Sequence, residues 1–191
     1  MKTINIALVG VGGQGTLLAS EVLARAAMLA GMDVKKSEIH GMAQRGGSVV
    51  SAIRIGDKVY SPIIPEGEVD ILISFELVES LRYADTLAAD GLALINNQVI
   101  TPVTVSSGQQ PWVEDLSERI ERAFPKRKVV DAMDKARELG NIRATNMVIA
   151  GALSKVLDIS ETAWRQAIEE LVPPRHRDLN LHAFAEGQKL A

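Results

Sequence analysis

The sequence predicts an α/β protein: an open, mostly parallel sheet with helices on both faces, an inserted β-hairpin and a C-terminal helical segment. Three observations carry the prediction. Short apolar runs alternate with segments of helical period. A glycine-rich turn, Gly10-Val11-Gly12-Gly13-Gln14-Gly15-Thr16, stands at the first crossover from strand to helix. The last quarter of the chain carries helical periodicity alone. Length and composition fit one domain over residues 1–191, with a core of 1–140 and a helical segment of 141–191, because 191 residues with 47% apolar and 24% charged side chains can bury a single core.

Ile4 to Val9 is a continuous apolar run closed by glycine, the pattern of a central strand buried on both faces. From Thr16, apolar residues at Leu18, Val22, Ala26 and Leu29 trace one face of a helix that Gly31 ends. Asp33 to Ile39 reads as the next strand. Ser48 to Ile55 and Lys58 to Ser61, joined by Gly56-Asp57, have the form of a tight hairpin. Asp70 to Ser74 is a strand, Glu76 to Ala89 a helix, Leu92 to Asn96 a strand, and Thr101 to Val105 a short edge strand limited by Pro102. Ser106 to Pro111 is turn-rich. A helix follows with Leu116, Ile120, Ala123 and Phe124 on one face, then a brief strand at Lys128 to Val130 and a helix from Asp131 to Leu139. Asn146 to Leu157, Ile159 to Leu171 with Ser160 as cap, and a segment after Pro173-Pro174 complete the helical end. The whole is a Rossmann-like plan, in which a ligand lies beyond the C-terminal ends of the strands.

Composition excludes several classes. A net charge of -3 and a pI near 5.7 give no field that attracts a polyanion, so no nucleic acid is expected as partner. Without cysteine the chain forms no disulfide, holds no cluster by thiolates and has no thiol nucleophile. Any redox chemistry must sit on another molecule. Three scattered histidines lack ligand spacing, and no metal site is expected. The N-terminus runs into a strand without a signal-peptide pattern, and Glu21 and Arg25 break the apolar run of the first helix, so the expectation is a cytoplasmic protein with no membrane partner.

Gly10, Gly12 and Gly15 satisfy G-x-G-x-x-G between strand and helix, where unpaired backbone N–H groups and the helix dipole favour a phosphate. Gly13 leaves the loop almost bare, with Gln14 and Thr16 as its polar side chains. Three readings stand side by side: a tight structural turn, a dinucleotide site with Glu38 on the ribose, and another phosphorylated ligand. Against the dinucleotide, Glu38 runs into a further glycine cluster instead of a second helix. That cluster, His40-Gly41-Met42-Ala43-Gln44-Arg45-Gly46-Gly47-Ser48, packs a histidine, a glutamine and an arginine between two strands. Arg45 reads either as a solvated loop residue or as a guanidinium that pairs with a phosphate or carboxylate.

The two motifs together, Gly-x-Gly-Gly-Gln-Gly and Gly-x-x-x-Arg-Gly-Gly, resemble the gamma-type subunit or domain of the thiamine-dependent 2-oxoacid:ferredoxin oxidoreductases. His40 to Val49 is most similar to the indolepyruvate branch, beta subunit. The likeness continues through Thr145-Asn146-Met147, Gly151-Ala152-Leu153, Asn180-Leu181, Ala183-Phe184 and Gly187. The resemblance implies an oxidoreductase subunit, inactive alone, whose larger partner carries thiamine diphosphate, magnesium and iron–sulfur clusters and passes electrons to ferredoxin. It implies that this chain is the platform for coenzyme A, with Gly10, Gly12, Gly13, Gln14, Gly15, Thr16, Arg45, Gly46 and Gly47 as contacts. Arg45, with His40 and Gln44, would face the partner's active site. Pyruvate, 2-oxoglutarate and branched-chain 2-oxoacids are the alternative substrates. Outside the family, the alternatives are a non-catalytic nucleotide-binding regulatory module and an independent dehydrogenase. Asn146 reads as a helix cap or a residue reaching the cleft, with capping preferred; Trp112 and Trp164 read as packing or interface anchors.

Overall fold

The computed structural model describes residues 2–40, 47–112 and 114–190. In chain order the elements are β1 (Ile4–Val11), α1 (Thr16–Leu29), β2 (Asp33–His40), β3 (Ser48–Gly56), β4 (Val69–Ser74), α2 (Leu77–Arg82), β5 (Leu87–Asn96), α3 (Val103–Ser106), α4 (Leu116–Ala123), β6 (Arg127–Val130), α5 (Ala132–Glu138), α6 (Thr145–Ser154), α7 (Glu161–Leu171) and α8 (Arg177–Gly187). The strands form one six-stranded sheet in the order β2-β3-β1-β4-β5-β6. β1, β4, β5 and β6 are parallel, and β3 runs antiparallel to both of its neighbours.

The period of two along β1 divides the core. Ile6 and Leu8 point to the face covered by α1 and the C-terminal helices, whereas Ala7 and Val9 point to the face covered by α2 and α4. Both faces of this strand are dry, which explains its unbroken apolar run. The chain crosses from β1 to β3 on one side and to β4 on the other. The switch point of the sheet therefore lies between β1 and β4, directly beneath the glycine loop.

Three local expectations are corrected. The antiparallel pair is β2 with β3, in register from Asp33 opposite Gly56 to His40 opposite Val49, and not 48–55 with 58–61. Residues 58–61 form no strand, because the Asp33 carboxylate takes the Val59 N–H at 2.8 Å and ties the segment by a side chain instead of a ladder. The helix expected over 76–89 ends at Arg82, and after a 3₁₀ turn Leu87 pairs with Val69 to start β5. The edge strand expected at 101–105 is instead the short helix α3, whose Val105 and Ser106 N–H groups bond to the Pro102 carbonyl; a proline suits the start of a helix, where its missing N–H costs nothing.

The C-terminal helices close one face. Every residue of α6 is buried, and the helix lies against α1, α5 and α8. Trp164 of α7 and Phe184 of α8 pack with ring centroids 5.7 Å apart. Where α6 crosses α8 the contact is backbone on backbone: a Cβ at Gly151 would lie 2.0 Å from the Phe184 carbonyl oxygen, and one at Gly187 would lie 1.9 Å from the Val148 carbonyl oxygen. Neither neighbour is a movable side chain, so any methyl group here pushes two helices apart. Gly151→Ala is expected to destabilise the chain by about 1–3 kcal/mol, as overpacking of a tight core does, read as a fall in the urea midpoint; an unchanged midpoint would show that the crossing is loose.

Candidate functional site

The C-terminal ends of β1, β4 and β5 meet at one rim, and there the glycine loop opens onto a cleft of about 320 Å³. Gly13, Gln14 and Gly15 form one wall, Phe75 and Gln98 the floor, and Ile142, Arg143 and Thr145 the opposite wall. Gly13 and Gly15 have φ of 105° and 79°, values that favour glycine and let the loop pass from strand to helix without a Cβ in the way. No backbone acceptor takes the N–H of either residue among the described residues. The Gly15 carbonyl accepts the first α1 bond from Ala19 at 3.1 Å, so the following Thr16 N–H points outward from the helix start.

The structure distributes the predicted site residues unevenly. Gly12 donates its N–H to the Gly47 carbonyl at 2.8 Å, so the two glycine motifs do meet, but this donor is already used. Gln14 turns its amide into the protein: Oε1 accepts from Val11 N–H at 2.7 Å, and Nε2 donates to the Phe75 carbonyl at 3.2 Å and to Gln98 at 3.4 Å. Gly10 packs where a Cβ would strike Phe75 at 2.9 Å. Thr16 is buried and its hydroxyl has no partner. His40 ends β2 and shares a cross-strand row with Val49 and Gly10, two strands away from the loop. The His40 side chain, Gln44, Arg45 and Gly46 lie outside the described residues.

Asn146 does not cap α6. The cap position is Ala144, and the Asn146 amide instead crosses to donate to the Gly15 carbonyl at 3.3 Å, leaving its Oδ1 unpartnered in a buried position. A Cβ on Gly15 would meet this amide at 2.6 Å, so Gly15 packs the loop against α6. Arg143 is the wall residue that sequence reasoning missed; its signal was its place just before Thr145-Asn146, and nothing in the local pattern brings it to the loop. Glu38 stays on β2, paired with Lys36 at 2.7 Å.

On the other side of the β1–β4 junction lies a second depression of about 360 Å³ with two buried carboxylates. Glu76 caps α2 by accepting from the N–H groups of Val78, at 2.9 Å, and Glu79. Glu79 accepts from the Ser48 hydroxyl and from Arg82 Nε at 2.8 Å, and Tyr83 Oη lies 3.0 Å from the Ser48 hydroxyl. The cluster ties the start of β3, and hence the stem of the second glycine motif, to α2. Among the described residues no group of three or more His, Cys, Asp or Glu side chains could hold a metal ion, and no helix is long and apolar enough to cross a membrane.

Residues 5–190 match the model of the pyruvate ferredoxin/flavodoxin oxidoreductase family. The chain is 43% identical to indolepyruvate oxidoreductase subunit IorB of Thermococcus kodakarensis, an alignment covering 100% of this chain and 97% of that one. It is 31% identical to 2-oxoglutarate synthase subunit KorC of Methanothermobacter marburgensis, over 99% and 96% of the two chains. Among solved structures, pyruvate oxidoreductase subunit PORC of Thermotoga maritima superposes with a TM-score of 0.74 at 26% identity, covering 100% and 97%. The 2-oxoglutarate:ferredoxin oxidoreductase of Magnetococcus marinus, solved with 2-oxoglutarate, coenzyme A and succinyl-CoA, shares the fold: TM-score 0.76 at 18% identity, spanning 100% of this chain and 31% of that one.

Burial raises the Glu76 carboxyl above the ordinary carboxylate range, against the lowering effect of its capping bonds to Val78 and Glu79. The folded state thus holds a proton that the unfolded state releases earlier. Stability contributed here is fully present below the unfolded value and declines as pH rises through the folded one. Glu76→Gln should flatten that decline, seen as a smaller loss of urea midpoint from mildly acid to neutral pH than in the parent; parallel slopes would show that Glu76 titrates normally.

Proposed function

The chain belongs to the pyruvate ferredoxin/flavodoxin oxidoreductase family, as a small subunit, and from that premise we propose that it serves a complex acting on indolepyruvate and related arylpyruvates. The reaction is oxidative decarboxylation to the acyl-CoA with reduction of ferredoxin, and this chain supplies the seat for the phosphates of coenzyme A. Full-length identity of 43% to an indolepyruvate oxidoreductase subunit, against 31% to a 2-oxoglutarate synthase subunit, supports the substrate branch. The observation that carries the coenzyme A reading is the cleft at the switch point, walled by the free N–H groups of Gly13 and Gly15 and by the start of α1.

Division of labour follows from chemistry. A chain without cysteine holds no iron–sulfur cluster by thiolates, so clusters, thiamine diphosphate and magnesium belong to a larger partner. Coenzyme A supplies the thiol that receives the acyl group. The residues of this chain bind and orient it: the amides of Gly13, Gly15 and Thr16 donate to phosphate oxygens at the positive end of α1, and Gln14 keeps the loop in shape from behind. Gly10 and Gly12 act through packing and through the bond to Gly47. Arg45, with His40 and Gln44 near it in sequence, is assigned to the partner-facing side or the pantetheine arm. The compartment follows from the same reading, a cytoplasmic complex.

Gly13 has open space around its Cβ direction, so Gly13→Asp places a carboxylate in the seat at the cost of some backbone strain. In the complex purified with this chain, the variant is expected to raise the KM for coenzyme A by about tenfold or more while the complex still assembles. The parent complex should prefer indolepyruvate over pyruvate and 2-oxoglutarate in kcat/KM. An unchanged KM would refute the seat, and a preference for another acid would refute the branch.

A further inference from the structure

We propose that Arg143 and the start of α6 form a second anion seat, facing the glycine loop across the cleft, that takes the 3′-phosphate of coenzyme A and so separates coenzyme A from its dephosphorylated form. This rests on the coenzyme A reading above and adds a residue and a selectivity to it. Arg143 lies in the 3₁₀ turn Ile142–Ala144 that leads into α6. The turn is fixed at both ends, since Asn141 Oδ1 accepts the Arg143 N–H at 3.0 Å and the Thr145 hydroxyl donates to the Ile142 carbonyl at 2.6 Å. The backbone is thereby held while the side chain stays exposed on the cleft wall, and among the described residues it has no acidic partner.

Two further features point to a polar guest between the helix starts. α6 has ten residues and no side-chain cap, so the N–H groups of its first turn are unpaid by the protein. Asn146 and Thr16, each 3% exposed, flank Gly15 with one unpartnered side-chain atom apiece, Oδ1 and Oγ1. Orphaned buried polar atoms are rare enough in native interiors to mark a place completed by something else. The chemistry selects the guest. A diphosphate bridge carries one charge per phosphate and suits backbone amides, whereas a phosphomonoester is close to a dianion at neutral pH and calls for a full opposite charge in bidentate contact. A guanidinium meets that need.

The test is calorimetric titration of coenzyme A and of 3′-dephospho-coenzyme A into the complex purified with this chain. The parent should bind coenzyme A about ten- to a hundredfold more tightly than the dephospho form. Arg143→Gln, an exposed change that should leave the melting curve in place, is expected to bring coenzyme A down to the dephospho affinity without altering the latter. Equal weakening of both ligands, or of neither, overturns the second seat. Gly13→Asp in the same titration separates the two claims: if it weakens both ligands while Arg143→Gln alters neither, only the second seat falls, and if it too leaves both unchanged, the coenzyme A reading falls with it.

Discussion

The amide of Gln14 holds the site together. Parallel strands end in a row of backbone groups that no next strand satisfies, and a buried unmet group costs about 1–3 kcal/mol. Gln14 meets this demand at the tails of β1 and β4, joining Val11, the Phe75 carbonyl and Gln98. Asn96 completes the network at the tail of β5: its Nδ2 donates to the same Phe75 carbonyl at 3.1 Å, and its Oδ1 accepts the N–H of Ala132 at 3.0 Å, which fixes the start of α5. Because these side chains saturate the inward-facing groups, the amides of Gly13 and Gly15 are left to face the cleft. The anion capacity of the loop is a remainder, set by what Gln14 and Gly47 have already taken.

The same logic makes the C-terminal helices part of the site. Gly151 and Gly187 allow α6 and α8 to touch through their backbones, and this depth of approach sets where α6 begins. From that start Asn146 reaches the Gly15 carbonyl, across 131 positions of sequence, and the preceding turn brings Arg143 to the cleft wall. A helical segment that reads as an appendage to the sheet therefore builds one of the two walls.

Legibility in the sequence tracks the range of the interactions involved. β1, the glycine loop and α1 could be read because strand, turn and helix are contiguous and each leaves a local period. The β2–β3 pairing could not, since the Gly56-Asp57 turn signal competes with a side-chain bond from Asp33 that lies outside any local window. Residues 101–105 misled for a related reason: Pro102 is equally at home on a strand edge and at a helix start, and only the bonds to its carbonyl decide. Gln14 was recognised as a loop residue, but its direction was not legible, because its partners Phe75 and Gln98 come from the ends of two other strands. Arg143 left no local signal at all.

The position of β3 bears on which nucleotide such a rim can take. In dinucleotide-binding sheets the acid that grips the ribose ends the strand next to β1. Here β3 intervenes, and Glu38 sits on β2, engaged by Lys36. An adenosine ribose laid over the loop would find no carboxylate beside it. The antiparallel insertion does more than displace the acid, because it brings the Gly47 carbonyl onto the Gly12 N–H and removes one of the donors a diphosphate would otherwise use. With the loop so depleted, a polyphosphate ligand needs positive charge from beyond β1 and α1. In a chain of net charge -3 that charge has to be local, which is the physical reason for an unpaired arginine on the far wall.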